Sequence, residues 1–311
     1  YIQEYNLSKP YDISTRVYAG DSERCETSSL SIYKTGDQKW GLYDLDFSSD
    51  GMKFFVVNRH YNDNVAGADE VAGFDLTSPY DISTCTFGSV HDELDTTALT
   101  TGSNAGDFTG ANRDHKVQSV EINDDGTKLF LLFYDNEDSD VGARLYEYNL
   151  STPYDVSTLS IVTTAGIEIP KSTLNGVENP SGMKFSANGK RIFIISHADN
   201  AGTRSSITQI SLSKAYDTSS FTLDGRLNIK YLSPSNDEPR GVAFSANGLK
   251  LYIGSDGNQG GADQIMEYDL VCPFTIIEGK CPPVTENSVR TGLAIAQIEV
   301  ATRTIEHSTD T

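Results

Sequence analysis

The sequence predicts an all-β fold, a β-propeller of four-stranded antiparallel blades, and three observations carry that prediction. A phrase that opens the chain, "EYNLSKPYDIST" (residues 4–15), returns as "GFDLTSPYDIST" (73–84), "YEYNLSTPYDVST" (146–158), "QISLSKAYDTSS" (209–220) and a decayed "EYDLVCPFTII" (267–277). A second phrase precedes each of the four later copies: "YDLDFSSDGMKFFVV" (43–57), "SVEINDDGTKLFLL" (119–132), "GMKFSANGKRIFII" (182–195) and "GVAFSANGLKLYIG" (241–254). At the centre of the second phrase stands Asp-Gly or Asn-Gly, and its glycines Gly51, Gly126, Gly189 and Gly248 fall 75, 63 and 59 residues apart. Tandem self-similarity of this kind marks a repeat architecture. Units of four short strands read as propeller blades lengthened by inserted loops.

Each strand follows from its residues. Asp-Gly or Asn-Gly between two strand-like runs signals a hairpin, because glycine takes positive φ at no steric cost. The run after the turn, such as "KLFLLF" or "RIFIIS", is almost continuously apolar. A strand buried on both faces has that composition. The "EYNLS" strand alternates better, and Pro with Tyr-Asp turns the chain into a short fourth strand such as "TCTFGS" or "LSIVTT". The expectation is four full repeats plus an N-terminal half-blade, residues 1–18, which has the outer strand pair and no inner hairpin. Three explanations stand open for it: a longer array cut inside a blade, ring closure onto irregular segments of the same chain, or strand exchange with another copy. The propeller spans 1–283. "CPPV" (281–284) is the boundary before a tail, 284–311, in which Val289, Leu293, Ala296 and Val300 recur at helical spacing. A helix there would pack on the propeller, contact another subunit or lead to a downstream anchor, and Gly292 weakens it.

"PSGMKFSANGKRIFI" (180–194) and "PRGVAFSANGLKLYI" (239–253) resemble the bacterial lactonase-like or YVTN-type propeller repeat: Pro, Gly, an apolar pair, Ser-x-Asn/Asp-Gly, a basic residue, then a strand. The resemblance covers residues 40–277 or so. It implies architecture and not activity, since the fold hosts many functions. "LSTPYDVST" is similar to phrases in repeat-bearing surface proteins of marine bacteria. Lactonase-like propellers that hydrolyse esters use channel carboxylates, with or without a metal.

The totals exclude several partners. A formal net charge of -20 on 311 residues opposes nucleic-acid and anionic-membrane binding, which need clustered Lys and Arg. It suits a soluble acidic coat or one that gathers cations. No apolar run reaches the length of a membrane span, and no signal peptide is present. The first residue is Tyr1 rather than Met, which suggests processing and an export signal removed. The four cysteines contain no CxxC pair. Cys272 and Cys281 bracket a short Pro- and Gly-containing loop, and Cys25 and Cys85 each follow a copy of the first phrase. Of three connectivities, 25–85 with 272–281 is the one expected. It implies an oxidising compartment, extracellular or at the cell surface, whereas free thiols would not.

Chemistry is thinly signalled. The loops between second and third strands, "NRHYNDNVAGADE" (58–70), "YDNEDSDVGAR" (134–144), "SHADNAGTR" (196–204) and "SDGNQGGAD" (255–263), are acidic and bent by glycine. Carboxylates so placed offer hard oxygen ligands to Ca²⁺. The candidates are Asp135, Glu137, Asp138 and Asp140, then Asp63 and Asp69, although solvated turn residues give the same pattern. The segments between blades place Trp40, His115, Glu178, Asn179, Glu238 and Arg240 near the starts of innermost strands, around a central channel where a small ligand would bind. Glu178 and Glu238, at "ENPSG" and "DEPRG", read as equivalent positions of consecutive repeats. The longest insertion, 90–114, is a polar surface loop, and loops of that length are often functional. The five histidines show no HExxH spacing, and no GxSxG is present.

Three functions remain. The first is a secreted or surface binding and adhesion protein, with a protein or glycan as partner. The second is a subunit that assembles with copies of itself into an oligomer or filament through its N-terminal strands. The third is a calcium-assisted hydrolase or lyase at the channel.

Overall fold

The computed structural model describes residues 1–27, 41–59, 70–91, 116–134, 141–162, 166–170, 174, 179–197, 205–229, 238–256 and 264–281. The chain is all-β and divides into two compact units, residues 1–8 with 15–171 and residues 9–14 with 172–311. The expected helix over 284–311 lies outside the described residues.

The first unit contains four short N-terminal strands and two blades. β1 (Ile2–Gln3) pairs with β4 (Arg24–Cys25), and β2 (Tyr5–Leu7) with β3 (Arg16–Tyr18). Blade 1 is an antiparallel meander of β5 (Gly41–Phe47), β6 (Lys53–Arg59), β7 (Glu70–Asp75) and β8 (Thr86–His91). Blade 2 runs β9 (Lys116–Ile122), β10 (Lys128–Tyr134), β11 (Val141–Leu150) and β12 (Leu159–Ile161), with β13 (Ile167–Pro170) added along β11. In the second unit, blade 3 is β14 (Asn179–Phe185), β15 (Arg191–His197), β16 (Ser206–Leu212) and β17 (Phe221–Asn228). Blade 4 has β18 (Glu238–Phe244), β19 (Lys250–Asp256) and β20 (Gln264–Asp269). It corrects the expectation of four strands in every repeat. After β20 the chain makes a single bridge, Cys272 with Thr275, inside the cystine loop, and no fourth strand follows among the described residues.

The two phrases of each repeat lock together at their turns. Gly51, Gly126, Gly189 and Gly248 all take φ between 65° and 70°. The amide of each donates to the residue three before it, as in Gly126 to the Asn123 carbonyl at 2.9 Å. The first phrase then lays an aromatic ring over that glycine: Tyr80, Tyr154, Tyr216 and Phe274. A Cβ on Gly126 would stand 2.5 Å from the Tyr154 ring. The same aromatic residues hold positive φ themselves, 60°, 61°, 57° and 48°. That conformation is uncommon for a bulky side chain. It lets each aromatic amide donate to its glycine's carbonyl, at 2.8, 2.9, 2.8 and 2.8 Å. In blades 1 to 3 the next aspartate caps a short 3-10 turn by accepting from the serine amide two residues on.

The core lies between blades within each unit. In the first, Phe55, Val57 and Val71 of blade 1 pack with Val120, Leu131 and Phe133 of blade 2. In the second, Phe193, Ile195 and Ile207 of blade 3 pack with Leu251, Ile253 and Tyr268 of blade 4. β10 is buried on both faces, as its continuous apolar run requires. Two carboxylates of β5 stitch blade 1 to blade 2. Asp44 accepts from the Val120 amide at 3.1 Å and Asp46 from the Ile122 amide at 2.9 Å. Asp46 is buried and Asp44 half-buried, and Asp44 accepts from the Ser119 hydroxyl as well; carboxylates so placed persist when donors satisfy them.

Candidate binding surfaces

The strands that follow the inter-blade segments begin where the sequence places them. Trp40, His115 and Glu178 immediately precede β5, β9 and β14 and lie outside the described residues. Asn179 and Glu238 are the first residues of β14 and β18, and Arg240 is the third of β18. The register corrects one equivalence. Asn179 faces His197 while Pro180 faces Ser196, and Glu238 faces Asp256 while Pro239 faces Ser255. Asn179, not Glu178, is therefore the counterpart of Glu238. Aligning on the glutamates shifts the repeat by one residue, whereas the prolines give the true register.

Glu238 sits in a charged group within the second unit. Its carboxylate pairs with the Arg240 guanidinium and lies 3.9 Å from His197 Nε2. Arg240 also stands 3.9 Å from the Asp256 carboxylate. His197 is buried, Glu238 and Arg240 are half-buried, and Asp256 is exposed. Ser196 and Ser255, one residue before His197 and Asp256, bury hydroxyls that have no hydrogen-bond partner among the described residues. The arrangement can bind an anion or a polar ligand through Arg240.

The calcium candidates Asp63, Asp69, Asp135, Glu137, Asp138 and Asp140 all lie outside the described residues. Among the described residues, no group of three or more His, Cys, Asp or Glu is placed to hold a metal ion. No helix there is long and apolar enough to cross a membrane. A cavity of about 320 Å³ in the first unit lies beside Lys53, Asp75, Ser89 and the Tyr154 turn. Its lysine is already paired with Asp75.

Both expected disulfides are present. Cys25 bonds Cys85 and Cys272 bonds Cys281, with Cα separations of 5.8 and 5.7 Å. The first ties β4 to the end of the 3-10 turn in blade 1. The second closes a loop that blade 3 holds in place. Arg191 donates to the carbonyl of Phe274 at 2.7 Å and to that of Lys280 at 2.7 Å. The Lys280 ammonium in turn lies 3.4 Å from Asp224.

The surface that sequence reasoning left undefined is the face of β2. Tyr5 and Leu7 are exposed, together with Val17 and Tyr18 of β3. β2 pairs with β3 along one edge, and its other edge meets no strand among the described residues.

No family profile matches the chain, and no curated protein matches it. Solved structures with a similar fold include the β-propeller domain of Cps50 (Swd1) from Myceliophteria thermophila, at 10% identity over 74% of this chain and 70% of that one, TM-score 0.33. Others are a calcium-binding regucalcin from Agrobacterium tumefaciens, at 8% identity over 73% and 70%, TM-score 0.36, and PhoX from Pseudomonas fluorescens in complex with vanadate, at 14% identity over 70% and 49%, TM-score 0.37. This chain thus spans about half the length of PhoX. Likenesses this distant carry no activity, ligand or partner to this chain.

Proposed function

We propose that the chain is a binding and assembly protein of the extracellular or cell-surface space, acting through exposed strand and loop surfaces and not through a reaction centre. The observation that carries the reading is the open face of β2. Its tyrosine and leucine occupy positions that the four blades bury, and a strand edge with no partner among the described residues is a template for further strands. Two disulfides suit an oxidising compartment. The charge of -20 keeps the remaining surface from non-specific association, so a directed contact stands out against it. The partner is a surface protein, a glycan or another copy, and Ca²⁺ held by the acidic loops would stiffen the faces that meet it.

Particle size tests this reading. Sedimentation and negative-stain images of the wild type, alone and mixed with a cell-surface extract, should show specific association that Leu7→Glu removes. Association untouched by that substitution would move the contact elsewhere. The alternative, a calcium-assisted hydrolase or lyase, places its chemistry at Glu238. It requires saturable turnover of a lactone or glycan that Glu238→Gln abolishes.

A further inference from the structure

The first letter of the repeated phrase is Glu4, Glu147, Gln209 or Glu267 in four copies, and Gly73 in blade 1. Register makes the blade positions equivalent. Gly73, Glu147, Gln209 and Glu267 stand opposite Phe55, Phe130, Phe193 and Tyr252. Each of those aromatics lies two residues after the basic residue that leaves the inner turn. Where the position has a side chain, it accepts the amide two residues after the left-handed aromatic of another turn. Glu4 accepts from Ile82 at 3.4 Å, Glu267 from Ile13 at 3.1 Å and Gln209 from Ile276 at 2.9 Å. The glutamates of blades 2 and 4 also take the basic residue: Lys128 pairs with Glu147 and Lys250 with Glu267.

Blade 1 has the two donors and not the acceptor. Lys53 is the counterpart of Lys250, and Val156 that of Ile13. Val156 is fully buried, and its amide has no acceptor among the described residues. Buried amides left so are rare. A second side chain is missing beside the first. The bulge residue of β8 is Gly88, where blade 3 has Asp224, bonded to Gln209 at 2.8 Å. The cavity of about 320 Å³ described above lies between these two glycines and the Tyr154 turn, all within the first unit. That volume is within the range of small-molecule sites.

We propose that this cavity binds a small carboxylate-bearing molecule, whose carboxylate takes the place of the glutamate that Gly73 omits. One oxygen accepts from the Lys53 ammonium and the other from the Val156 amide. Glu267 divides its oxygens in this way, Oε1 to Lys250 and Oε2 to the Ile13 amide. The acidic neighbours do not forbid it. Lys53 pairs with Asp75, and Lys250 holds Asp269 at 2.9 Å as well as Glu267. Asp155 is occupied by the Ser157 amide, as Asp12 is by the Ser14 amide beside Ile13. An amide group serves in blade 3 only with other partners: Asp224 takes the Gln209 Nε2, and Arg191 turns to the Phe274 carbonyl. With Lys53 and Gly88 at those places, blade 1 suits the charged group, whose hydrogen bonds are the stronger. The space left by Gly88, beside Ser89, takes the body of the ligand.

The test uses the intact ¹⁵N-labelled chain and sodium propionate, the glutamate side chain freed of its backbone, at constant ionic strength. Propionate should move the Val156 and Ser89 amide resonances saturably, and propionamide should not. Lys53→Met should weaken the binding at least tenfold. Gly73→Glu should abolish it and shift the Val156 amide with no ligand added. A Cβ on Gly73 comes 3.3 Å from the Phe55 ring, so that variant needs a small adjustment, and Lys53→Met decides the matter if it does not fold. Glucuronate binding at least tenfold tighter than propionate assigns the site to an acidic sugar, and equal or weaker binding to a free small carboxylate. No saturable shift at Val156 with either probe, an equal response to propionamide, or binding indifferent to Lys53→Met overturns the proposal. Leu7→Glu should leave propionate binding unchanged, so this site and the β2 contact can each fail alone.

Discussion

Blade 2 and blade 4 start alike and finish differently. Each has an inner hairpin, a turn glycine with φ near 70° and an aromatic ring laid over that glycine. Blade 2 then continues into β12 and gains β13. Blade 4 turns at Phe274 into a cystine loop. The ring over the glycine is retained where no outer strand follows among the described residues, so the turn is the unit the repeat preserves. A cross-link substitutes for the missing ladder. The N-terminal strands teach the same lesson from the other side: they pair with no inner hairpin among the described residues, and Cys25 fastens them to Cys85. Blades 2 and 3 have no cysteine at all. Covalent bonds stand where repeats are incomplete.

The comparison can be broken first at those bonds. In the chain-entropy account, a disulfide stabilises by restricting the unfolded chain, more for a longer loop. The separations are 60 residues for Cys25–Cys85 and 9 for Cys272–Cys281. Replacing the first pair by alanine should cost about 4 kcal/mol and the second about 3 kcal/mol. Urea unfolding of the two double variants checks both the size and the order. Equal small losses would mean that noncovalent packing already holds these segments.

The second test contrasts a strand buried on both faces with one buried on one. Leu131 of β10 is fully buried, whereas Ile265 of β20 is 45% exposed. Leu131→Ala should cost about 2–5 kcal/mol, and Ile265→Ala about 0.5 kcal/mol or less. The difference is legible in the letters: "KLFLLFY" is apolar after its lysine, while "QIMEYD" interleaves polar with apolar residues.

Much of the fold was legible in the same way. Asp-Gly and Asn-Gly located every inner hairpin, and the short loop between Cys272 and Cys281, with Cys25 and Cys85 each after the repeated phrase, pointed to the two disulfides. The failures are specific. The aromatic–glycine contact was invisible because its partners lie 26 to 29 residues apart, as in Gly51 with Tyr80 and Gly248 with Phe274, and chain patterning reports neighbours only. Asp44 and Asp46 read as the polar positions of an alternating strand, yet they hold amides of the next blade. Blade 4's phrase was visibly decayed, but a decayed phrase does not say which strand is missing. At the candidate site the prolines carried the register, and attention to the glutamates misaligned Asn179 and Glu238 by one residue.

The third test separates backbone strain from crowding. Gly126 and Gly279 have nearly the same φ, 70° and 76°. A Cβ on Gly126 meets the Tyr154 ring, and a Cβ on Gly279 meets nothing within 4 Å. Gly279→Ala should therefore cost about 1 kcal/mol, the conformational penalty alone. Gly126→Ala should cost about 1–2 kcal/mol more, through displacement of the ring. In a Tyr154→Ala background that excess should disappear. A double-mutant cycle measures it directly, and a vanishing coupling energy would show that the ring merely rests on the glycine.

The smallest effect concerns the turn itself. Asp155 accepts from the Ser157 amide at 3.1 Å and from its hydroxyl at 2.6 Å. That hydroxyl is the main reason its carboxyl is held below the ordinary aspartate value. The N-terminal copy behaves alike: the Ser14 hydroxyl first, then Lys9, lowers Asp12 to about 2. A depressed carboxyl favours folding in its charged form. Its contribution is complete above the unfolded value of about 3.9 and drains away as pH falls through the folded value. Blade 4 has Thr275 at this position and nothing to titrate. Amide shifts followed from pH 5 to 2 should therefore move at Ser14 and Ser157 with midpoints below 3.9, while Ile277 stays still. Asp155→Asn should abolish the movement at Ser157 alone. Movement at Ile277 over the same range would mean that acid loosens the turns collectively, and that the aspartate is not what distinguishes blade 2 from blade 4.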